Sequence, residues 1–132
     1  MLTTRRADAR QFGRESERVA ERYLRRQGYT ILERNARLPE GEIDLVARKG
    51  AVVVFVEVKA RRTSAMGGAV FAVNGEKQQR LIRAAAQYLA VRRMHNQPSR
   101  IDVVVIQHIS SGEATIEHIE NAIEVSGQDL RW

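Results

Sequence analysis

Two carboxylates and an amine lie close together in the first half of the chain. Asp44 stands in the segment GEIDLVAR, and Glu57 and Lys59 end the segment that follows it. Seven of the eight residues from Ala51 to Val58 are apolar, and Glu57 is the exception. Such an apolar run is typical of a strand that is buried on both faces. A carboxylate inside it carries a large desolvation cost unless a cation compensates its charge.

Two kinds of chemistry would supply that cation. In one, Lys59 neutralises Asp44 or Glu57 in a cross-strand ion pair, which is a structural role. In the other, the hard carboxylate oxygens hold Mg²⁺ or Mn²⁺ and the lysine lies beside the ion. The residue types and their spacing are compatible with both, so both hypotheses stay open at this point.

The segment 41–59 predicts a β-hairpin with a tight turn at Lys49 and Gly50. With an even loop length, the expected cross-strand pairs are Val46–Val53, Asp44–Phe55 and Glu42–Glu57. Side chains alternate between the two faces of a strand, so Asp44, Glu57 and Lys59 would share one face. Ile43 and Leu45 would share the opposite face of the first strand. A slip of one residue, or a bulge, would move one strand's set to the other face.

Periodic apolar spacing places the other elements around this hairpin. The expected helices are Gln11–Gln27 and Glu76–Arg93, and the expected further strands are Tyr29–Arg37, Arg100–Ile109 and Ala114–Ile119. This order predicts a single α/β domain with a mixed central β-sheet flanked by two main helices. The domain would span residues 11–123, between a flexible N-terminal segment (1–10) and a C-terminal tail (124–132).

Composition and charge narrow the classes of function. The formal net charge is +6, and residues 61–100 carry eight basic residues and one acidic residue. This basic segment directly after Lys59 favours a polyanionic partner such as nucleic acid, and a solvated basic face is the structural alternative. The chain has no cysteine, which excludes disulfides and thiolate zinc sites. Without an apolar leader or a membrane-length apolar run, we expect a cytoplasmic protein with no membrane partner.

An Asp, a spacer of about a dozen residues and then Glu-x-Lys after a hydrophobic strand resembles the PD-(D/E)xK nuclease signature. The blocks GEIDLVAR (41–48) and FVEVKARR (55–62) are similar to those of the YraN-type family of small bacterial proteins. The resemblance covers most of the chain, from about Gly13 to Ile123. It implies a core like that of restriction endonucleases and Holliday-junction resolvases. It also implies that Asp44 and Glu57 hold Mg²⁺ or Mn²⁺ and that Lys59 serves catalysis.

Two further acidic residues have different expected roles. Glu17 lies at the buried edge of the apolar stripe of the first predicted helix. In the nucleases that the chain resembles, a helix glutamate sits close to the metal, so the resemblance gives Glu17 an outer contact to the site. The structural alternative for Glu17 is a helix salt bridge, for example with Arg14. Asp102, inside an apolar strand, is interpreted as structural and paired with Arg100 or with the basic second helix.

Basic residues around the predicted site are candidates for phosphate contacts. They are Arg37, Arg61, Arg62, Lys77 and Arg80. Arg37 belongs to the segment Arg34-Asn35-x-Arg37, which resembles another block of the family.

Together, these features predict a nucleic-acid-binding protein that acts as a metal-dependent endonuclease, on DNA more than on RNA, with branched or structured DNA as a candidate substrate. One alternative is a nuclease-fold binding module without catalysis. Another is a protein-interaction domain whose charges form ion pairs. Since junction-cleaving relatives act as dimers, the resemblance also implies a homodimer.

Overall fold

The computed structural model describes the backbone of residues 2–10 and all atoms of residues 11–61, 75–108 and 113–123. Its elements are helix α1 (Leu2–Arg26), strands β1 (Thr30–Leu38), β2 (Gly41–Lys49) and β3 (Val52–Arg61), helix α2 (Gly75–Val91), and strands β4 (Ser99–His108) and β5 (Ala114–Ile119). The predicted order of helices and strands is confirmed. The predicted tail, residues 124–132, and Arg62 lie outside the described residues.

The five strands form one sheet in the order β1-β2-β3-β4-β5. Strands β1, β2 and β3 are antiparallel neighbours, β4 runs parallel to β3, and β5 runs antiparallel to β4. A parallel pair needs a crossover connection, and α2 lies in the connection between β3 and β4. The sheet is therefore mixed, and the predicted single α/β domain with two main helices is confirmed.

Strand β3 is the centre of the sheet and separates two apolar layers. Val54 and Val56 belong to a buried cluster that includes residues of α1. Val53 and Phe55 belong to a second cluster, which includes most of the buried face of α2. The two helices therefore cover opposite faces of the sheet, and the predicted alternation along β3 is confirmed.

Helix α1 is longer than predicted at its start and ends as predicted. It begins at Leu2, so residues 2–10, which were predicted to belong to a flexible N-terminal segment, are helical. Two alanines and three arginines stand in this segment, and both residue types favour helix even without an apolar stripe. At the other end, Gly28 has a φ of 91°, and the backbone N–H of Tyr29 donates to the carbonyl of Leu24 at 3.0 Å. This glycine-centred cap directs the chain from α1 into β1.

The hairpin of β2 and β3 has a different register from the predicted one. The observed pairs are Leu45–Val56, Val46–Phe55, Ala47–Val54, Arg48–Val53 and Lys49–Val52. The turn is formed by Gly50 and Ala51, with Gly50 at a φ of 59°, so the turn predicted at Lys49 and Gly50 is wrong. Lys49 therefore remains in β2 and pairs with Val52 of β3, because the left-handed glycine of the turn comes after it. The slip is by two residues, an even number, so the face of each β3 side chain is unchanged.

Strand β2 departs from regular alternation at Asp44. Ile43 packs with Val46 in the cluster on the α2 side, whereas Leu45 packs in the cluster on the α1 side. The prediction that Ile43 and Leu45 share a face is therefore wrong. Among the described residues, the β2–β3 pairs end at Leu45–Val56, while β2 stays paired with β1 as far as Gly41. The backbone around Asp44 is thus held by one neighbouring strand only, and regular alternation is not imposed on it.

Candidate functional site

The candidate site begins where β2 and β3 stop pairing. The backbone N–H of Val58 donates a hydrogen bond of 2.8 Å to Oδ2 of Asp44. A side chain thus takes the place of the inter-strand backbone hydrogen bonds at this end of the hairpin. The charge of the Glu57 carboxyl also acts on the Asp44 carboxyl, so the two groups lie close together.

The positive charges in the described part of the chain do not compensate the burial of the Asp44 carboxyl. Burial raises the pKa of Asp44 to about 7, and the charge of Glu57 acts in the same direction. The hydrogen bond from the Val58 N–H favours the charged form but offsets only part of this rise. The Asp44 carboxyl therefore still binds a proton close to neutral pH, and a bound cation would displace that proton.

Lys59 lies two residues after Glu57, on the same face of β3. Burial lowers the pKa of Lys59, and the neighbouring amine of Lys77 lowers it further. The carboxyl groups of Glu57 and Asp44 act in the opposite direction without restoring the ordinary value. A lysine held mainly by an ion pair would have a raised pKa. The direction of the shift at Lys59 is therefore opposite to the one expected of a purely structural ion pair.

A cleft lies between β2, β3 and the first turns of α2, and Glu57 is part of its wall. It is lined by Glu57 and Glu42 from the sheet and by Lys77 and Arg80 from α2. On the same helix, the Arg83 guanidinium donates to Glu40 at 2.5 Å, so this arginine is engaged in an ion pair. Lys77 and Arg80 are the basic residues of α2 that face the cleft beside Glu57.

Glu17 approaches the same place from the other face of the sheet. The Asn35 amide donates a hydrogen bond of 3.1 Å to Oε1 of Glu17. Burial raises the pKa of Glu17, and the charges of Asp44 and Glu42 also raise it. The proposed salt bridge with Arg14 is replaced by the contact with Asn35. Glu17 is thus electrostatically coupled to Asp44 although α1 and α2 lie on opposite faces.

The predicted site residues fall into two groups in the structure. Asp44, Glu57, Lys59, Lys77 and Arg80 are brought together on the α2 side of the sheet, and Glu17 lies near Asp44 on the α1 side. Arg37 is exposed on the edge strand β1, where it is the register partner of Glu42. Arg61 ends β3, and Arg62 is not among the described residues.

Two residues near the site were not singled out from the sequence. Glu42 lines the cleft beside Glu57. Asn35 orients Glu17 and has a φ of 49°, in the left-handed region that asparagine tolerates better than most residues. Asparagine is depleted in strands, so its position in the middle of β1 is the signal that would have identified it.

The donor set suits a hard divalent ion with an incomplete protein shell. Among the described residues, no group of three or more histidine, cysteine or acidic side chains is arranged to hold a metal. The two carboxylates of Asp44 and Glu57, with a carbonyl of β3, are oxygen ligands of the type that Mg²⁺ and Mn²⁺ prefer. Magnesium is commonly held by one or two carboxylates, with water and substrate phosphates completing its shell. The residues present therefore fit such an ion.

Asp102 has the structural role that the sequence analysis assigned to it. Its carboxylate accepts hydrogen bonds from Nε of Arg100 at 3.0 Å and from the backbone N–H of Asn121 at 2.9 Å. It also lies 2.8 Å from Nε2 of His118. The predicted partner Arg100 is confirmed, and the contacts of His118 and Asn121 were not predicted.

Comparison with known sequences places the chain in a family. Residues 16–106 match the profile of the uncharacterised protein family UPF0102. The chain is 45% identical over 115 residues to a UPF0102 protein of Syntrophotalea carbinolica, covering 87% of this chain and 93% of the relative. It is 47% identical over 107 residues to a UPF0102 protein of Beutenbergia cavernae, covering 81% and 91%. The chain therefore belongs to the UPF0102 family, which confirms the resemblance to the YraN-type proteins.

Among solved structures, the chain is similar to Pyrococcus furiosus SfsA in complex with Ca²⁺, with a TM-score of 0.42 and 18% identity. The match covers 89% of this chain, which spans 65% of the length of that one. None of the described helices combines the length and apolar content needed to cross a membrane.

Proposed function

We propose that this protein is a metal-dependent endonuclease whose substrate is DNA, with branched or structured DNA as the first candidate. The observation that carries the proposal is the proximity of the Asp44 and Glu57 carboxyl groups, which raises the pKa of Asp44, beside Lys59, whose pKa is lowered. Stability alone gives no reason to place two acids close together with such a lysine next to them. Phosphodiester hydrolysis uses both features.

The acidic pair would bind the metal, and the lysine would act on the attacking water or the phosphate. A divalent ion at Asp44 and Glu57 supplies a Lewis acid that lowers the pKa of a bound water and stabilises charge on phosphate oxygens. Lys59, whose pKa is lowered, would accept a proton from the attacking water, or would hold charge on the transition state when protonated. Glu17, oriented by Asn35, would contact the metal's water shell from the α1 side.

The surrounding cations would position the nucleic acid through its phosphates, without reading its sequence. Lys77 and Arg80 line the cleft next to Glu57. Arg37 is the register partner of Glu42, Arg61 ends the strand that carries Glu57, and Arg62 follows directly in the sequence. We accordingly expect affinity that falls steeply as salt concentration rises.

The direct test is incubation with branched, duplex and single-stranded DNA and with RNA, in Mn²⁺ and in EDTA. We expect cleavage of at least one DNA in Mn²⁺, none in EDTA, and none by Asp44→Asn. The matched control is Glu117→Gln, an exposed acid on β5, which should cleave like wild type. Cleavage that persists in EDTA or in Asp44→Asn would refute the assignment.

Metal binding is tested separately by calorimetry with Mn²⁺ on the same variants. A bound ion stabilises the native state by mass action, so Mn²⁺ should raise the melting temperature of wild type and of Glu117→Gln. It should leave Asp44→Asn unchanged. Equal shifts in all three proteins would place the ion elsewhere.

The second candidate function is a nucleic-acid-binding module of the same fold without catalysis. It is favoured by the lack, within the described ranges, of a third side chain that completes a metal cluster. This alternative predicts salt-dependent DNA binding by wild type with no cleavage of any substrate in the panel. The homodimer implied by the family resemblance is a separate proposal, which light scattering of the free protein tests.

A further inference from the structure

Helix α1 carries an arginine at every fourth position along its exposed side. The members whose side chains are described are Arg14, Arg18, Arg22 and Arg26, and each of them is exposed. In the sequence the series continues back through Arg10 and Arg6. Residues four apart form a continuous row on a helix surface. We call these four described residues the arginine ridge.

The ridge is not neutralised by the rest of the described chain. None of its four arginines has an ion-pair partner among the described residues. By contrast, the neighbouring Arg25 and Arg34 both pair with Glu21, at 3.0 and 2.6 Å. Like charges four residues apart destabilise a helix. Helical stability therefore does not explain the ridge, and an anionic partner does.

One end of the ridge reaches the candidate site. Arg14 and Arg18 line a groove together with Glu17 and Asn35, the pair that approaches Asp44 from the α1 side. Each further step of four residues advances about 6 Å along the helix and turns about 40° around it. The ridge thus runs diagonally from the groove at Glu17 for about 18 Å towards Arg26.

We infer that the arginine ridge binds the sugar-phosphate backbone of DNA that flanks the cleavage position on the α1 face. The inference rests on the proposed endonuclease function and specifies its substrate. The cleft cations Lys77 and Arg80 lie on the α2 face, and the ridge lies on the α1 face. A substrate that reaches both is a duplex or a branched DNA, since one short strand in the cleft does not extend to α1. Arginine suits this role because its planar guanidinium matches phosphate geometry.

The packing of α1 decides between DNA and an anionic membrane as the partner. Helices that bind at membrane surfaces insert an apolar face below the headgroups. The apolar face of α1 is occupied by the sheet, since Ala20 and Leu24 are fully buried there. The helix therefore presents positive charge but has no free apolar face to insert into a membrane, so the ridge suits a phosphate backbone better.

The test compares two variants with equal loss of charge. Arg18→Gln/Arg22→Gln removes the middle of the ridge, and glutamine keeps the helix propensity. Arg48→Gln/Arg93→Gln, near the β2–β3 turn and after the end of α2, is the control. Binding of each protein to a branched DNA, a duplex and a short single strand is measured in EDTA over a range of salt concentrations.

We expect the ridge variant to lose affinity for duplex and branched DNA, with a salt dependence reduced by about two units of slope. Binding of the short single strand should be unchanged, and the control should match wild type on every probe. Equal effects of both variants would show a general charge effect and overturn the inference. Each protein is also tested on phosphatidylserine vesicles, and a ridge variant that loses vesicle binding but keeps duplex binding would overturn the inference in favour of a membrane surface.

The outcomes separate this inference from the proposed function. If wild type cleaves DNA and the ridge variant binds every DNA as wild type does, the endonuclease proposal stands and the inference about the ridge is refuted. Wild type that neither binds nor cleaves any probe refutes both. Melting curves of each variant, which should match wild type, show that the comparison is made on folded protein.

Discussion

Asp44 and Asp102 lie in the two strands that flank β3, and their surroundings shift their pKa values in opposite directions. Asp102 is fully buried and accepts hydrogen bonds from Arg100 and Asn121, with His118 in contact. Burial acts to raise the pKa of Asp102, but these contacts outweigh it and the pKa is lowered. For Asp44 the balance is reversed, because burial and Glu57 raise its pKa to about 7.

The difference distinguishes a structural acid from one that is available for chemistry. Asp102 has its full set of partners within the chain, so its charge contributes to folding. Asp44 has a second acid as its neighbour, and the hydrogen bond from the Val58 backbone N–H offsets only part of the rise in its pKa. Perturbed pKa values of this kind concentrate at functional sites. The same fold thus holds one buried acid whose charge is balanced by its neighbours and another whose charge is opposed by its neighbours.

The largest expected effect is on catalysis by the Asp44 region. Lys59→Ala should lower the cleavage rate by about two to four orders of magnitude, the range for losing a proton-transfer or charge-stabilising group. Its fold and its DNA binding should persist in Mn²⁺, because the ion then balances the acids. Lys59→Arg should not restore the rate fully, since a guanidinium stays protonated. Single-turnover cleavage with a melt in Mn²⁺ measures both properties.

The control for this prediction is Lys49→Ala, at the turn end of β2. Lys49 contacts the Gln27 carbonyl and the Tyr29 ring, away from the acidic pair, so its removal should leave the cleavage rate unchanged. A Lys59→Ala protein that unfolds even with Mn²⁺ would support the structural ion pair instead. A Lys59→Ala protein that cleaves at the wild-type rate would show that Lys59 has no part in catalysis.

The next effect is on stability and should be found only in the Asp102 region. Asp102→Asn breaks a buried ion pair and should lower the free energy of unfolding by about 3 kcal/mol. Asp44→Asn, in metal-free protein at pH 8, should have no destabilising effect, because it removes a desolvated charge next to Glu57. Urea denaturation of the two variants measures both values. If both substitutions destabilise the protein by a similar amount, then Asp44 also stabilises the fold and the contrast with Asp102 is refuted.

A smaller effect is the dependence of stability on pH. The pKa of Asp44 is raised from 3.8 to about 7 in the folded state, so the folded protein binds the proton more tightly. The resulting stability is fully present below pH 3.8 and is lost as pH rises towards 7. For Asp102 the pKa is lowered, so its stability is present above 3.8 and is lost as pH falls below that value.

Denaturation of metal-free protein from pH 3 to 8 tests these signs. Asp44→Asn should remove the loss of stability between about pH 4 and 7. Asp102→Asn should reduce the loss on the acid side. If Asp44→Asn leaves the profile unchanged between pH 4 and 7, then the carboxyl of Asp44 is not protonated in the folded state and the comparison fails.

Local periodicity was sufficient to predict most of the fold. The valine alternation of β3 and the apolar stripe of α2 placed these elements within a few residues of their observed bounds. The face shared by Glu57 and Lys59 was predicted correctly even though the hairpin register was not. An even slip preserves faces, so this part of the site was insensitive to the error in the turn.

The remaining features depend on contacts between residues that are far apart in sequence. The break in alternation at Asp44 follows from the end of β2–β3 pairing, which no local pattern encodes. The same holds for the bond between Asn35 and Glu17 and for the contact between His118 and Asp102. The early start of α1 was missed for another reason, because helix propensity rather than an apolar stripe favours helix there.

The smallest expected effect concerns the cations beside each acid. Lys77 lowers the pKa of Lys59 and lines the cleft with Glu57, whereas Arg100 belongs to the buried network of Asp102. Lys77→Ala should reduce the salt dependence of DNA binding by about one unit of slope, regardless of DNA sequence, because one phosphate contact is lost. It should also shift the pH–rate profile of cleavage upwards, since the pKa of Lys59 rises when the neighbouring amine is removed. Arg100→Ala should change neither property and should instead lower the melting temperature. A Lys77→Ala protein with an unaltered salt slope and an unaltered pH profile would show that Lys77 contacts neither the DNA nor the working form of Lys59.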